Sequence, residues 1–471
     1  MGGHLRALDG RRDLLAPAAA FSGRYPCLLQ SVVRGNAKAR YDILFAFPRE
    51  QLVLQADGRL CRSPLAGDAL GLYSLRSQTA SPASRRLQEQ RDGNFLDALD
   101  TAWQAERLPA HGDGLPFHGG WVLMLAYELA GQIEPRLRLR SPGPLPMALA
   151  LRCPAAVIVD HARERTVLVA EQGHADLLDA MEADLAASCG DAMPVVPLSI
   201  EEDAPGRFLD GVARIHEHLH AGDIFQVNLS RAWRAHYALP PPPAALYAAL
   251  RAANPAPFAG LLQQPGWAIA SSSPERLVEV RGGIAQTRPI AGTRPRVAGD
   301  DDAARIRELT THPKERAEHV MLIDLERNDL GRVCVPGTVE VDELMAVESY
   351  AHVHHIVSNV RGRLRDDVTP GQVIAATFPG GTITGCPKVR CMEIIAALED
   401  APRGAYTGAL GYLDLSGELD LNILIRTLTL TGTEVTLRAG AGIVADSVAD
   451  KELDETRAKA RGLLRALGAA D

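Results

Sequence analysis

Two helical stretches in the second half of the chain each carry two glutamates one turn apart. Glu315 and Glu318 lie in the first stretch, and Glu452 and Glu455 lie in the second. Side chains three positions apart share one face of a helix, so each pair repels by roughly a few tenths of a kcal/mol. A hard divalent cation such as Mg²⁺ prefers oxygen ligands and would relieve that repulsion. The spacing is therefore typical of either two solvated helix faces or a magnesium site.

Four further segments are richer in glycine and polar side chains than a hydrophobic core requires. Glu275 follows three serines at a proline turn, and residues 286–296 hold three arginines around a Gly-Thr turn. Residues 378–388 form a glycine-rich loop before a helix, whose backbone N–H groups could receive an anion. This loop lacks the Gly-Lys-Ser/Thr end of a nucleotide P-loop, which excludes ATP binding there. Ala439–Ile443 is predicted to be a small-residue turn that lets backbone donors approach a ligand.

Histidine and cysteine patterns give weaker signals. His352 and His354 would share one face of a strand and His355 the other, but no further ligand lies at a recognisable spacing, which disfavours zinc. The seven cysteines are scattered without a Cys-x-x-Cys pair, as in a reducing cytoplasm. The net charge of −8 disfavours a nucleic-acid surface. The sequence shows neither a signal peptide nor an apolar run of about 18 residues, so we expect a cytoplasmic protein.

The elements that must position these residues divide the chain into three regions. Residues 1–187 are rich in predicted strands, residues 188–206 are predicted to be a linker, and residues 207–471 mix strands with helices. Predicted helices include Pro313–Asn328 and Asp450–Leu467, and one predicted strand covers Leu421–Leu430. Strands interrupted by helices without a strict βαβ rhythm indicate an α+β fold with antiparallel sheets.

Residues 207–467 resemble the chorismate-utilising enzymes. The resemblance is carried by Thr287–Arg296, Lys314–Val333, Gly380–Met392 and Ala439–Lys459 together. It implies a sandwich of two large antiparallel sheets with outer helices, similar to anthranilate synthase component I, with the active site in a cleft. The N-terminal region resembles the family more weakly. Its Leu28–Ser31 segment is similar to a tryptophan pocket in which Gln30 replaces the usual glutamate.

The resemblance also implies roles for individual residues. Glu318 and Glu455 would be Mg²⁺ ligands, with Glu315 and Glu452 acting through metal-bound water. Glu275 would be the general acid that protonates the departing ring hydroxyl. The catalytic set would further include His355, Gln226 and Thr293. The substrate pocket would comprise Arg426, Lys459, Tyr406, Gly440, Gly442 and Thr382.

Local features favour one branch of the family. Gln226 stands where members that use water as nucleophile have lysine, which favours ammonia as the nucleophile. Asn228, residues 254–260 and the Gly380–Gly381 pair resemble aminodeoxychorismate synthase component I, whereas Ala291 replaces a lysine found in many such enzymes. The resemblance then implies amination of chorismate at C4 for 4-aminobenzoate and folate synthesis. Because we recognise no glutaminase domain here, a separate glutamine amidotransferase subunit would supply ammonia.

Two alternatives stay open at this point. Anthranilate synthase component I, of the tryptophan pathway, would place the amino group at C2 and release pyruvate. A non-catalytic sensor of chorismate or tryptophan would bind without turnover, although such a sensor needs no proton donor at Glu275.

Overall fold

Two large antiparallel sheets form most of the chain. The computed structural model describes residues 3–32, 40–65, 88–90, 93–187, 196–295, 306–307, 313–349 and 353–469. Within these residues each sheet has twelve strands, and both sheets take strands from before and after residue 188. The predicted α+β class with two antiparallel sheets is confirmed.

The strands of sheet A are β1 (His4–Asp9), β2 (Cys27–Gln30), β3 (Tyr41–Ala46), β9 (Ala155–Asp160), β10 (Arg165–Ala170), β11 (Ser199–Glu202), β12 (Gln226–His236), β13 (Phe258–Gln264), β14 (Trp267–Ser273), β20 (Gly385–Cys386), β23 (Thr427–Thr431) and β24 (Glu434–Ile443). The strands of sheet B are β4 (Glu50–Leu54), β5 (Leu60–Pro64), β6 (Gln88–Gln90), β7 (Gly120–Leu125), β8 (Ala148–Cys153), β15 (Arg276–Arg281), β16 (Ile284–Thr287), β17 (Ile290–Pro295), β18 (Glu340–Ser349), β19 (Val353–Arg363), β21 (Ala409–Asp414) and β22 (Leu419–Ile423).

Helices cover the sheets. They are α1 (Leu15–Ala20), α2 (Phe95–Glu106), α3 (Ala130–Ile133), α4 (Asp176–Ala187), α5 (Pro205–His220), α6 (Pro243–Ala253), α7 (Pro313–Gly331), α8 (Pro370–Thr377), α9 (Lys388–Leu398) and α10 (Ala449–Ala466). α10 packs against β24 of sheet A, whereas α7 packs against β16, β17 and β19 of sheet B. The two helices that carry the acidic pairs therefore belong to different sheets.

Most central strands are buried on both faces. In β7, Val122 and Met124 join the core between the sheets, while Leu123 and Leu125 join the core that sheet B shares with its helices. Successive side chains of a strand point to opposite faces, so a strand between two cores must be apolar at nearly every position. β7 and β9 meet this requirement with uninterrupted buried runs.

Two of the places where the chain passes from one sheet to the other are adjacent. Glu275 lies between β14 of sheet A and β15 of sheet B, and Arg426 lies between β22 of sheet B and β23 of sheet A. The two crossovers are joined by backbone hydrogen bonds, from Ile423 N to Glu275 O at 3.0 Å and from Ser272 N to Arg426 O at 3.0 Å. The fold thus holds an acid and a guanidinium on neighbouring crossovers.

Two sequence predictions of secondary structure are corrected here. Leu421–Leu430 is not one strand, because the chain leaves sheet B after Ile423 and Arg426 adopts a left-handed φ of 53°. The predicted linker at residues 188–206 contains β11, which pairs with β12, and Asp203 accepts a hydrogen bond from Ala232 N at 2.9 Å. Residues 188–195 lie outside the described part of the chain.

None of the helices in the described ranges is long and apolar enough to cross a membrane.

Candidate active site

The Glu275 carboxyl is enclosed at the crossover between the two sheets. Its residue is 6% exposed. Burial raises the pKa of Glu275 to about 7, and the nearby Thr382 hydroxyl, the Ile290 backbone N–H and the Lys459 charge oppose that rise. Removal from water disfavours the ionised carboxylate, whereas donors and cations favour it. Glu275 can therefore carry a transferable proton near neutral pH, as general acid catalysis requires.

Charge interactions between neighbouring groups connect two cations and a phenol to this acid. The Lys459 ammonium donates to Gly440 O at 3.0 Å and pairs with Glu455 at 2.6 Å. Burial lowers the pKa of Arg426, while the charges of Tyr406 and Glu455 raise it. Burial raises the pKa of Tyr406 to about 12, so its hydroxyl remains a donor. Arginine, lysine and phenol donors together suit a carboxylate ligand.

Gly440 and Gly442 belong to a strand and not to the predicted turn. Both lie in β24, with Gly440 opposite Ser230 and Gly442 opposite Asn228 of β12. A Cβ on Gly440 would lie 2.5 Å from Asn228 Oδ1, and one on Gly442 would lie 2.4 Å from Gln226 Nε2. Side chains from β12 lie across both positions and leave no room for a Cβ. This crowding, and not a turn, explains why both residues are glycine.

Two amide side chains on β12 have unpaired oxygens. Gln226 and Asn228 are two positions apart, so both point to the same side of the strand. Within the described residues, Gln226 Oε1 and Asn228 Oδ1 are both buried and accept no hydrogen bond. A buried acceptor without a donor costs about 1–3 kcal/mol, so these oxygens are suited to receive N–H or O–H donors from a ligand.

The four glutamates predicted for Mg²⁺ are divided between α7 and α10. Glu455 is 47% exposed and pairs with Lys459 at 2.6 Å, and the Lys459 charge in turn acts on Glu275. Glu318 and Glu452 are half-buried, and the Glu315 side chain lies outside the described part. Carboxylates are the donors that Mg²⁺ prefers. Among the side chains that the structure describes, however, no three acidic, histidine or cysteine groups are gathered for a metal.

His355 and Thr293 are brought together by strand pairing. His355 of β19 is 8% exposed and lies opposite Thr293 of β17 in the register of sheet B. The side chain of Thr293 lies outside the described part, as do those of Ala291 and His354. His352, considered for zinc, also lies outside it. The backbone thus places the two predicted residues side by side without defining a contact.

Glu326 is a buried acid to which the sequence analysis assigned no role. Burial raises its pKa to about 8, and the charges of Asp329 and Glu275 add to that effect. Lys388 pairs with Asp329 at 2.5 Å and opposes the rise. One sequence signal marks Glu326: it follows His319 by seven positions and Ile323 by three, on the buried face of α7.

A second cavity, of about 500 Å³, lies between β2 and the β15–β16 region of sheet B. It is lined by Gln30 and Ser31 of the segment that is similar to a tryptophan pocket. The Gln30 amide donates to Asp42 at 3.0 Å and accepts from Tyr247 at 3.1 Å and Arg251 at 3.2 Å. Its oxygen is therefore already occupied and offers no negative charge to a ligand ammonium group.

Comparisons with known proteins show the family to which the chain belongs. The family described as chorismate binding enzyme matches residues 69–465. An anthranilate synthase component I-like protein from Synechocystis is 45% identical over 366 residues, or 77% of this chain and 75% of that protein. Aminodeoxychorismate synthase component 1 from Bacillus subtilis is 40% identical over 395 residues, or 80% and 83% of the two chains. Anthranilate synthase component I from Streptococcus pneumoniae matches in structure with a TM-score of 0.77 at 29% identity, covering 92% of this chain and 93% of that one. The chain belongs to the family of chorismate binding enzymes.

Proposed function

We propose that the chain is aminodeoxychorismate synthase component I. It would replace the C4 hydroxyl of chorismate with an amino group and keep the enolpyruvyl ether, giving 4-amino-4-deoxychorismate. Ammonia would come from a separate glutamine amidotransferase subunit. The enclosed Glu275, whose pKa of about 7 lets it protonate a leaving hydroxyl near neutral pH, supports loss of the C4 hydroxyl. The choice of C4 over C2 for the amino group is carried by Asn228, residues 254–260 and the Gly380–Gly381 pair, which resemble aminodeoxychorismate synthase component I.

The reaction needs a proton donor because hydroxide is a poor leaving group. In the proposed step the C4–O bond breaks while Glu275 gives its proton to the departing oxygen, which leaves as water. Ammonia supplies the electron pair of the new C–N bond and then loses one proton to the Glu275 carboxylate, which restores the acid and balances the step. Such acid assistance typically contributes about 10²–10⁴-fold to the rate.

The carboxylates of the substrate would be held by the cationic side of the site. Arg426 and Lys459 carry the charge, and the Tyr406 hydroxyl adds a neutral donor beside Gly440. Chorismate has two carboxylates, and two cations on different elements can bind the enolpyruvyl carboxylate while Mg²⁺ would hold the ring carboxylate.

The unpaired amide oxygens of β12 favour ammonia over water as the nucleophile. Gln226 Oε1 and Asn228 Oδ1 can accept N–H bonds, but an amide cannot remove a proton from water as a lysine amine can. Ala291 also leaves no amine at that position of the sequence. The proposed enzyme therefore uses ammonia directly, without a covalent lysine intermediate.

Mg²⁺ is part of the proposal. Glu318 and Glu455 would hold it, with Glu315 and Glu452 in reach of its water ligands. When bound, it would supply positive charge to the ring carboxylate of chorismate. The Glu455 carboxylate now shares its charge with Lys459, so binding of the ion would free that ammonium for the substrate.

Anthranilate synthase component I is the second candidate, because the 45% identical relative from Synechocystis carries that kind of name. A chorismate or tryptophan sensor without turnover is the candidate of another class. Incubation of the purified chain with chorismate, Mg²⁺ and ammonium separates the three. We expect 4-amino-4-deoxychorismate, which an added aminodeoxychorismate lyase converts to 4-aminobenzoate and pyruvate. Fluorescent anthranilate and pyruvate without the lyase would replace the proposal with the second candidate, and binding without consumption would favour the sensor.

A further inference from the structure

Arg403 is a buried arginine whose hydrogen-bond donors are all used inside the protein. The residue is 4% exposed. Its Nε and Nη2 donate to the Glu399 carboxylate at 3.0 and 2.8 Å, and Nη2 also donates to Asn228 O at 2.8 Å. Nη1 donates to Ile383 O at 3.0 Å and to Thr407 Oγ1 at 3.3 Å. A guanidinium has five N–H donors, so none remains for a substrate.

The partners of Arg403 lie next to residues of the candidate site. Ile383 follows Thr382 in the glycine-rich loop. Thr407 follows Tyr406, and Thr407 has a left-handed φ of 62°. Asn228 is itself one of the two amides with a free oxygen. The same guanidinium therefore joins three segments, because it binds the backbone carbonyls of Asn228 and Ile383 and the side chain of Thr407. A shift of any segment would break a buried, charge-assisted hydrogen bond.

The guanidinium also stacks on two aromatic rings. It lies 5.6 Å from the ring centre of Tyr406 and 4.9 Å from that of Tyr127. A cation over a ring face is attracted to it and holds the ring in place. The Tyr406 oxygen points to Gly440, where a Cβ would lie only 2.8 Å away. Arg403 also opposes the burial-driven rise in the pKa of Tyr406, which makes the hydroxyl a better donor.

A second layer of contacts keeps Arg403 itself in place. Glu399 is bound at the same time by Arg438 at 3.0 Å and by Ser230 Oγ at 2.8 Å. The Arg403 backbone N–H donates to Glu128 at 2.8 Å. Glu399 thus pairs with both arginines, and these contacts hold the guanidinium in place.

We propose that Arg403 is a positioning residue that aligns Tyr406, Asn228 and the Thr382 loop around the carboxylate end of the substrate pocket. This inference rests on the proposed assignment of Tyr406 and Thr382 to substrate binding. Arg403 does not bind the substrate, because its donors are all used. It acts through Tyr406, which presents its hydroxyl beside Gly440 only while the guanidinium supports the ring.

A double-mutant cycle tests this role. Arg403→Lys, Tyr406→Phe and the double variant are compared by KM and kcat for chorismate consumption. We expect Arg403→Lys to raise KM by about 10- to 100-fold, the range for a lost hydrogen bond to a charged group, with a smaller change in kcat. Because both changes remove one effect, the double variant should have a KM close to that of Arg403→Lys alone. Multiplied effects in the double variant would overturn the inference.

Arg152→Lys is the matched control. Arg152 is 2% exposed, pairs with Glu106 and Glu171 at 2.7 and 2.5 Å, and stacks on Trp121 at 5.0 Å. It thus resembles Arg403 in burial, pairing and stacking but contacts none of the candidate site residues. It should lower the unfolding temperature without changing KM. Equal losses of stability without any change in KM for either variant would show that Arg403 is only structural.

Two further points keep the test decisive. If Arg403→Lys does not fold, Glu399→Gln is the alternative variant. It weakens the same support while keeping an acceptor, and it should raise KM as well; an unchanged KM there would overturn the inference.

Chorismate consumption is measured whichever product forms. Formation of anthranilate would therefore refute amination at C4 and leave the KM comparison valid, whereas an unchanged KM would refute the role of Arg403 and leave the C4 assignment standing.

Discussion

Glu275→Gln keeps the size of the side chain and removes the proton that the proposed reaction requires. A carboxyl with the usual pKa of 4.5 would be protonated in only about 0.3% of molecules at pH 7, whereas a pKa of about 7 gives about half. The enclosure at the crossover thus increases the acid form by roughly 150-fold. We expect Glu275→Gln to lower kcat by about 10²–10⁴-fold with KM changed by less than about threefold, because the proton matters only in the transition state.

At high pH, Glu275→Gln should be more stable toward unfolding than the wild type. Between pH 4.5 and about 7 the folded protein keeps a proton on Glu275 that the unfolded chain has lost, so stability falls as the pH rises through that window. The difference in pKa corresponds to roughly 3 kcal/mol at most above pH 7. Glutamine carries no charge, so Glu275→Gln should unfold at a higher temperature than the wild type at pH 8 and at the same temperature near pH 4.

Steady-state kinetics and thermal unfolding over pH 4–9 measure both effects on the same preparations. The wild-type kcat/KM should fall as the pH rises through about 7, because Glu275 of the free enzyme then loses its proton. Glu275→Asp is the control that keeps an acid but shortens it, and it should retain part of the activity. A kcat within about threefold of wild type for Glu275→Gln, or an equal loss in KM and kcat, would refute the role of general acid.

Three other predictions concern separate parts of the chain. Glu318→Gln and Glu455→Gln should each raise the Mg²⁺ concentration for half-maximal activity by about tenfold or more, whereas Asp450→Asn in the first turn of α10 should not; unchanged titrations would remove the ligand assignment. Millimolar tryptophan should leave chorismate consumption unchanged, because three neighbours already hold the Gln30 amide, and inhibition would contradict this. Glu326→Gln should raise the unfolding temperature at pH 9 but not at pH 4, because burial raises the pKa of Glu326 to about 8; equal shifts at both values would show that packing is responsible.

The helices of the catalytic region were predictable from local signals. The start of α8 is marked in the sequence, because Thr369 and Gln372 form a capping box and Pro370 occupies the first turn. α10 was predicted within one residue at each end, since its apolar face repeats at helical spacing. These signals lie within a few residues of each helix end and do not depend on the rest of the fold.

The crossover at Arg426 could not be predicted in the same way. Leu421–Leu430 is rich in leucine, isoleucine and threonine and contains neither proline nor glycine, so it indicates one strand. The break arises because the strand exchanges one sheet for the other, and the partners that fix it, Ser272 and Glu275, lie about 150 positions earlier. Long-range pairing overrides the local pattern there.

The sequence predicted individual residues of the candidate site but not how they are arranged. Glu275, Arg426 and Lys459 were each predicted, and the structure brings them to neighbouring elements. Gly440 was expected in a turn, because small residues in sequence do not tell whether a loop or a crossing side chain needs the space. Arg403 had no signal at all, since a buried arginine is recognised only from its partners.

The position of the new nitrogen tests the central claim most directly. The purified chain is incubated with chorismate, Mg²⁺ and ¹⁵N-labelled ammonium, and the product is analysed by nuclear magnetic resonance. We predict ¹⁵N bonded to C4 of a cyclohexadiene that still carries its enolpyruvyl group. Label at C2 of an aromatic ring, with free pyruvate, would contradict the account and assign the chain to anthranilate formation.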